Sequence, residues 1–123
     1  MSKILFLSDI HGNMPAVRAL EKEIEKLQPD DIYFLGDAVG KGPENAQAVD
    51  WVRKNCKHAV KGNWDDFVCL QAKKRDYPDM EFYWKQLGEE RLQWLESLLL
   101  PDPGFREKAM ENTLTLWENE TEK

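Results

Sequence analysis

The chain has 123 residues, 41% hydrophobic and 33% charged, with a formal net charge of −6. That size bounds it to one domain with a modest core, the composition excludes a disordered chain, and no apolar run approaches the roughly 20 residues that span a bilayer. The acidic balance, 17 Lys and Arg against 23 Asp and Glu, argues against a sequence-independent grip on nucleic acid, which needs a basic face.

Met1-Ser2-Lys3-Ile4 leads straight into a strand-like segment and shows none of the succession of a signal peptide. Lys3-Ile4-Leu5-Phe6-Leu7-Ser8 is a continuous apolar run, the pattern of a strand covered on both faces in a parallel sheet. A helix follows, with Asn13 as its cap, Pro15 in its first turn and Val17, Leu20, Ile24 and Leu27 at helical spacing, until Pro29 stops it. Ile32-Tyr33-Phe34-Leu35 is a second strand, closed by Gly36-Asp37. After a loop with Gly40, Gly42 and Pro43, the residues Ala46, Val49, Val52 and Cys56 mark a second helix. Lys57-His58-Ala59-Val60-Lys61 is a weaker third strand, stopped by Gly62-Asn63. The order is βαβαβ, the signature of right-handed crossovers and a parallel sheet.

Beyond this the chain turns helical. Helices are predicted over Asp65 to Lys74, Met80 to Leu87 and Glu89 to Leu98, with a break at Tyr77-Pro78-Asp79. From Pro101 the character changes: Asp102-Pro103-Gly104 is a turn, and the stretch to Lys123 carries six acids against Arg106, Lys108 and Lys123. Leu114, Leu116 and Trp117 are its main apolar content, so it reads as a short amphipathic helix or a loose end. Cys56 and Cys69 are too few and too far apart for a zinc knuckle or a redox pair, and read as reduced, idle thiols of a cytoplasmic protein.

Three polar segments follow the three strands: Ser8-Asp9-Ile10-His11-Gly12-Asn13, Gly36-Asp37 and Gly62-Asn63-Trp64-Asp65. In an open parallel sheet the carboxyl ends of the strands share one edge, where ligands bind. Asp9, His11, Asp37 and Asn63 are therefore expected to converge, the successive strand-end positions 9, 37 and 63 lying 28 and 26 residues apart. Two carboxylates, an imidazole and an amide oxygen suit manganese, iron, zinc, nickel or cobalt, and exclude a soft copper(I) thiolate site. Asp9 and His11 stand two apart, so extended backbone would turn both toward one ion. Such sets place two ions roughly 3.5 to 4 Å apart around a phosphoryl group.

Asp9-x-His11-Gly12-Asn13, Gly36-Asp37-x-Val39-x-x-Gly42-Pro43 and Gly62-Asn63-x-Asp65 resemble the first three motifs of the calcineurin-like metallophosphoesterases, and among them the small bacterial phosphodiesterase-type members. The resemblance implies an α/β fold: a parallel βαβαβ half of a β-sandwich flanked by helices, ending in a helical segment. It implies Asp9 and His11 on a first metal, Asp37 bridging and Asn63 on a second, the ions being manganese or a similar metal. The substrate class it implies is small phosphomonoesters or phosphodiesters, nucleic acid entering only as a phosphodiester substrate. Asp37, Asn63 and Asp65 are the catalytic candidates.

Two departures stand out. Many members carry a histidine after the asparagine, proposed to protonate the leaving group, where this chain has Trp64, whose indole is not a proton source at neutral pH. The family also completes its site with histidines from its second half, and no histidine follows His58. Residues 1–100 therefore read as the N-terminal part of such a domain and 101–123 as a divergent acidic tail. The alternative to an enzyme is an inactive truncated or split half-domain that self-associates through an uncovered sheet. His58 is expected to be a structural or surface residue, and Trp64 to wall a substrate pocket or simply pack.

Overall fold

A computed structural model describes residues 3–101. The expectations for the acidic stretch and for Leu114, Leu116 and Trp117 lie outside the described residues. Strand β1 (Ile4–Leu7) is followed by α1 (Met14–Leu27), β2 (Asp31–Phe34), α2 (Asn45–Asn55), β3 (His58–Ala59), α3 (Asn63–Lys74), a 3₁₀ turn at Pro78–Met80 and α4 (Glu81–Ser97). The sheet is parallel with strand order β1-β2-β3, so β2 is central. This is the α/β, βαβαβ arrangement expected.

The local reasons match the residues. Asn13 caps α1 by accepting from Ala16 N at 3.2 Å, and Pro15 occupies a first-turn position that needs no N–H. Gln28 ends α1 in the left-handed conformation, directly before Pro29. α3 begins two residues earlier than predicted, because Asp65 Oδ2 reaches back to accept from Gly62 N at 3.0 Å. β3 is shorter than predicted: its ladder stops where Lys61 N turns away from β2 and donates to Leu99 O at 2.9 Å.

One core cluster joins Leu7 and Phe34 of the sheet to Val17 of α1, Val49 and Val52 of α2, Val68 of α3, and Leu87 and Leu95 of α4. Each such side chain contributes about 1.5–3 kcal/mol by leaving water. Leu5, Ile32 and Ala59 pack against this cluster from the same face of the sheet. The opposite face corrects the expectation that β1 is covered on both sides. Ile4 is 44% exposed, Phe6 and Tyr33 are half-buried, and His58 is exposed. Their rings form a row across the strands, Phe6 to Tyr33 at 5.6 Å and Tyr33 to His58 at 5.0 Å, edge to face. His58 is thus a surface residue, at the start of β3.

α4 is one helical run interrupted at Gly88 (φ 76, ψ 167), where two predicted helices meet. That backbone region is open essentially to glycine alone. A Cβ at Gly88 would meet nothing within 4 Å, so Gly88→Ala should cost only the backbone strain, about 1–3 kcal/mol in chemical denaturation. Arg91 and Arg53 tie α4 to α2 through Asp50 and Glu90, at 2.9 and 2.7 Å, and the Arg91 guanidinium holds the Asp50 carboxyl below its ordinary value. No helix among the described residues is long and apolar enough to cross a membrane. Burial pushes the Cys56 thiol up to about 12 and Cys69 up to about 11, so both are poor nucleophiles.

Candidate metal centre

The parallel strands bring their carboxyl ends together, and the segments after β1 and β2 run side by side there. Leu35 N donates to Leu7 O at 2.8 Å, Asp9 N to Gly36 O at 3.0 Å, His11 N to Asp37 O at 3.0 Å and Gly12 N to Ala38 O at 2.9 Å. The two segments are thereby hydrogen-bonded well past the strands themselves. Asp9, His11 and Asp37 each offer a ligand atom, and these atoms lie within 4.8 Å of one another. Asp9 is exposed, His11 half-buried and Asp37 buried, so the cluster opens outward from a fixed floor.

The backbone differs from the extended form expected. Asp9 (φ 60), His11 (φ 49) and Asp37 (φ 66) all adopt the left-handed conformation. Such backbone is uncommon outside glycine, though Asp and His tolerate it better than most, and it concentrates at functional sites. All three belong to the cluster whose ligand atoms lie within 4.8 Å of one another.

His11 carries the most specific information. Its Nδ1 lies 3.1 Å from Val39 O, which can only accept, so Nδ1 bears the proton. Its Nε2 faces Asp9 Oδ1 at 3.2 Å. With a proton on Nε2 this contact is an ion pair; with Nδ1 alone protonated it sets two acceptors side by side, which a divalent cation beside them would satisfy. A backbone-anchored Nδ1 with Nε2 aimed at a carboxylate is the arrangement that orients a metal-ligating histidine. Two carboxylates and an imidazole suit a borderline divalent ion, so the residues present fit one.

Asn63 opens α3 and is exposed; the next residue, Trp64, donates its N–H to Asp37 Oδ1 at 2.9 Å, which brings the start of this helix to the cluster. The structure places Asp65 elsewhere: it is fully buried beneath the site. Its carboxylate accepts from Asp37 N at 2.7 Å, Gly62 N at 3.0 Å and Val39 N at 3.1 Å. Burial pushes this carboxyl up to about 6, against the downward pull of those three donors. Trp64 is half-buried, with its ring 6.3 Å from that of His11 and 5.8 Å from that of Tyr83, both edge to face. A cavity of about 560 Å³ lies elsewhere, between α3 and α4, lined in part by Cys69, Trp84, Gly88 and Leu92.

Two further polar residues, Asn45 and Gln86, brace the loop after β2. Asn45 follows Gly40, Gly42 and Pro43 at a helix start, which is a sequence signal of a sort. Gln86, 41 residues away in the middle of a helix, carries none.

A family model described as calcineurin-like phosphoesterase matches residues 2–119. The chain belongs to the calcineurin-like phosphoesterases. That match extends past residue 100, where the change in composition suggested a boundary. The uncharacterized protein MJ0912 of Methanocaldococcus jannaschii is 34% identical over 106 residues, covering 80% of this chain and 43% of that protein. The crystal structure of a metallophosphoesterase from Sphaerobacter thermophilus superposes with a TM-score of 0.65 at 38% identity, over 79% of this chain and 41% of that one. A further solved structure at 22% identity and TM-score 0.58 shares the fold. This calcineurin-like phosphoesterase chain thus spans less than half the length of the relatives it matches.

Proposed function

We propose that Asp9, His11, Asp37 and Asn63 are the N-terminal share of a two-metal centre that hydrolyses small phosphomonoesters or phosphodiesters. The observation that carries this reading is the gathering of ligand atoms of Asp9, His11 and Asp37 within 4.8 Å of one another, with His11 Nδ1 held by Val39 O. Asp9 and His11 would hold one ion, Asp37 would bridge, and Asn63 would reach the second, with manganese the first choice and iron, zinc, nickel or cobalt as alternatives. Bound divalent ions supply charge neutralisation at the phosphoryl group and a water activated for in-line attack.

The chain's own residues set the stage for that chemistry. Val39 O keeps the His11 ring oriented with Nε2 outward. Asp65, being buried, acts through the backbone of Asp37 and Val39 and not on substrate. Trp64 supplies no proton to a leaving group, while its indole edge flanks His11. The members' later histidines have no counterpart after His58, so the ligand set within this chain is incomplete on this reading.

The test is metal content by plasma spectrometry together with turnover of a bis-aryl phosphate in manganese. Retained metal and hydrolysis support an active centre. Neither metal nor turnover would sink it and leave a second reading, an inactive half-domain that self-associates. The half-exposed row Phe6, Tyr33 and His58 favours that second reading, because apolar sheet faces invite association. It predicts a mass that rises with concentration in analytical ultracentrifugation.

A further inference from the structure

We propose that Asn45 and Gln86 are positioning residues: a buried amide pair that holds the metal-binding loop over residues 37–43 in place and ties helix α4 to it. The inference rests on the metal-centre reading above and concerns residues that the motifs leave aside.

Asn45 is fully buried and uses every polar atom it has. Its Oδ1 accepts from Gly40 N at 2.9 Å. Its Nδ2 donates to Gly42 O and to Gln86 Oε1, each at 2.9 Å. Its backbone N–H, one of the donors a helix start leaves without an internal partner, donates to the same Gln86 Oε1 at 2.9 Å. Glu44, at the cap position of α2, makes no side-chain capping bond, so Gln86 from another helix does the work of a cap. Gln86 Nε2 in turn donates to Pro43 O at 2.6 Å. These partners fix the orientation of both amides: neither can flip without setting donor against donor and acceptor against acceptor.

The pair sits under both metal-binding segments. A Cβ on Gly12, the residue after His11, would lie 2.5 Å from Asn45 Oδ1. Gly42 N donates to His11 O at 2.8 Å and Glu44 N to Gly12 O at 2.9 Å. Val39, whose carbonyl orients the His11 ring, directly precedes Gly40, so Asn45 Oδ1 holds the N–H of the same peptide unit. Release of Gln86 therefore frees the loop that sets the direction of His11 Nε2.

Manganese affinity, read from the loss of the free-ion paramagnetic resonance signal, tests this on the full chain. Gln86→Met, similar in length but without polar atoms, should weaken manganese binding by about 10- to 100-fold under conditions where circular dichroism shows it folded. Gln86→Glu keeps the acceptor for Asn45 but sets a carboxylate oxygen against Pro43 O, so its affinity should fall between those of the unsubstituted chain and Gln86→Met. A merely structural role would lower the metal-free melting temperature and leave the affinity alone. Equal affinity in the unsubstituted and Gln86→Met chains overturns this inference while the metal centre stands. An unsubstituted chain that binds no manganese removes both. If Gln86→Met does not fold, the unsubstituted chain decides: the Gln86 side-chain amide resonances should shift on zinc binding, and unmoved resonances overturn the coupling.

Discussion

Asp65→Ala should lower the unfolding free energy by on the order of 4 kcal/mol, measured by urea denaturation at neutral pH. Asp65 is fully buried and its carboxylate is the partner of three backbone N–H groups, those of Asp37, Val39 and Gly62. A buried donor left without a partner costs about 1–3 kcal/mol. The alanine removes a carboxyl whose burial is itself unfavourable, which offsets part of that sum. Asp65→Asn is the informative companion. The amide keeps the shape but has one acceptor where the carboxylate has two, so an NH₂ must face a backbone N–H. It should fall between the native chain and Asp65→Ala. A loss within about 1 kcal/mol for the alanine would mean that the loops after β2 and β3 do not depend on this carboxylate.

Gly42→Ala should damage both the fold and the metal centre. A Cβ there would stand 2.8 Å from the carbonyl carbon of Gly12 and closer still to the carbonyl oxygen of His11. These neighbours are backbone, so no flexible side chain can yield, and the loops after β1 and β2 must separate. The expected cost is about 3 kcal/mol or more in denaturation, with manganese affinity falling by at least about tenfold as His11 is displaced. Gly88→Ala is the comparison, because a Cβ there meets nothing within 4 Å although Gln86 stands two residues away: it should lose stability and lose less metal affinity than Gly42→Ala. Equal effects of the two substitutions on metal affinity would separate the loop contact from the site.

The βαβαβ order was legible because each strand is a short apolar run ended by polar residues, with glycine at the end of the second and third, and α1 carries its own start and stop. Pro15, Pro29 and the Asn13 cap act locally, so their effect is written in neighbouring residues. The convergence of Asp9, His11 and Asp37 followed from parallel topology alone. The backbone of those residues was not legible, since nothing in an Asp or His announces a positive φ; hydrogen bonds between the two segments impose it. The role of Asp65 was hidden for a related reason, as an acid beside a motif asparagine looks the same whether it faces solvent or backbone. Gln86 was invisible because its partners lie 41 to 43 residues away. The open face of β1 escaped prediction because a continuous apolar run does not say what covers it.

The central claim is that Asp9, His11 and Asp37 bind a divalent ion. Manganese titration of the unsubstituted chain beside Asp9→Asn tests it most directly, because Asp9 is exposed and its replacement spares the core. The expected result is binding by the unsubstituted chain and a loss in Asp9→Asn greater than the roughly tenfold lower limit for Gln86→Met. An unsubstituted chain that binds no manganese, or one that Asp9→Asn matches, would contradict it.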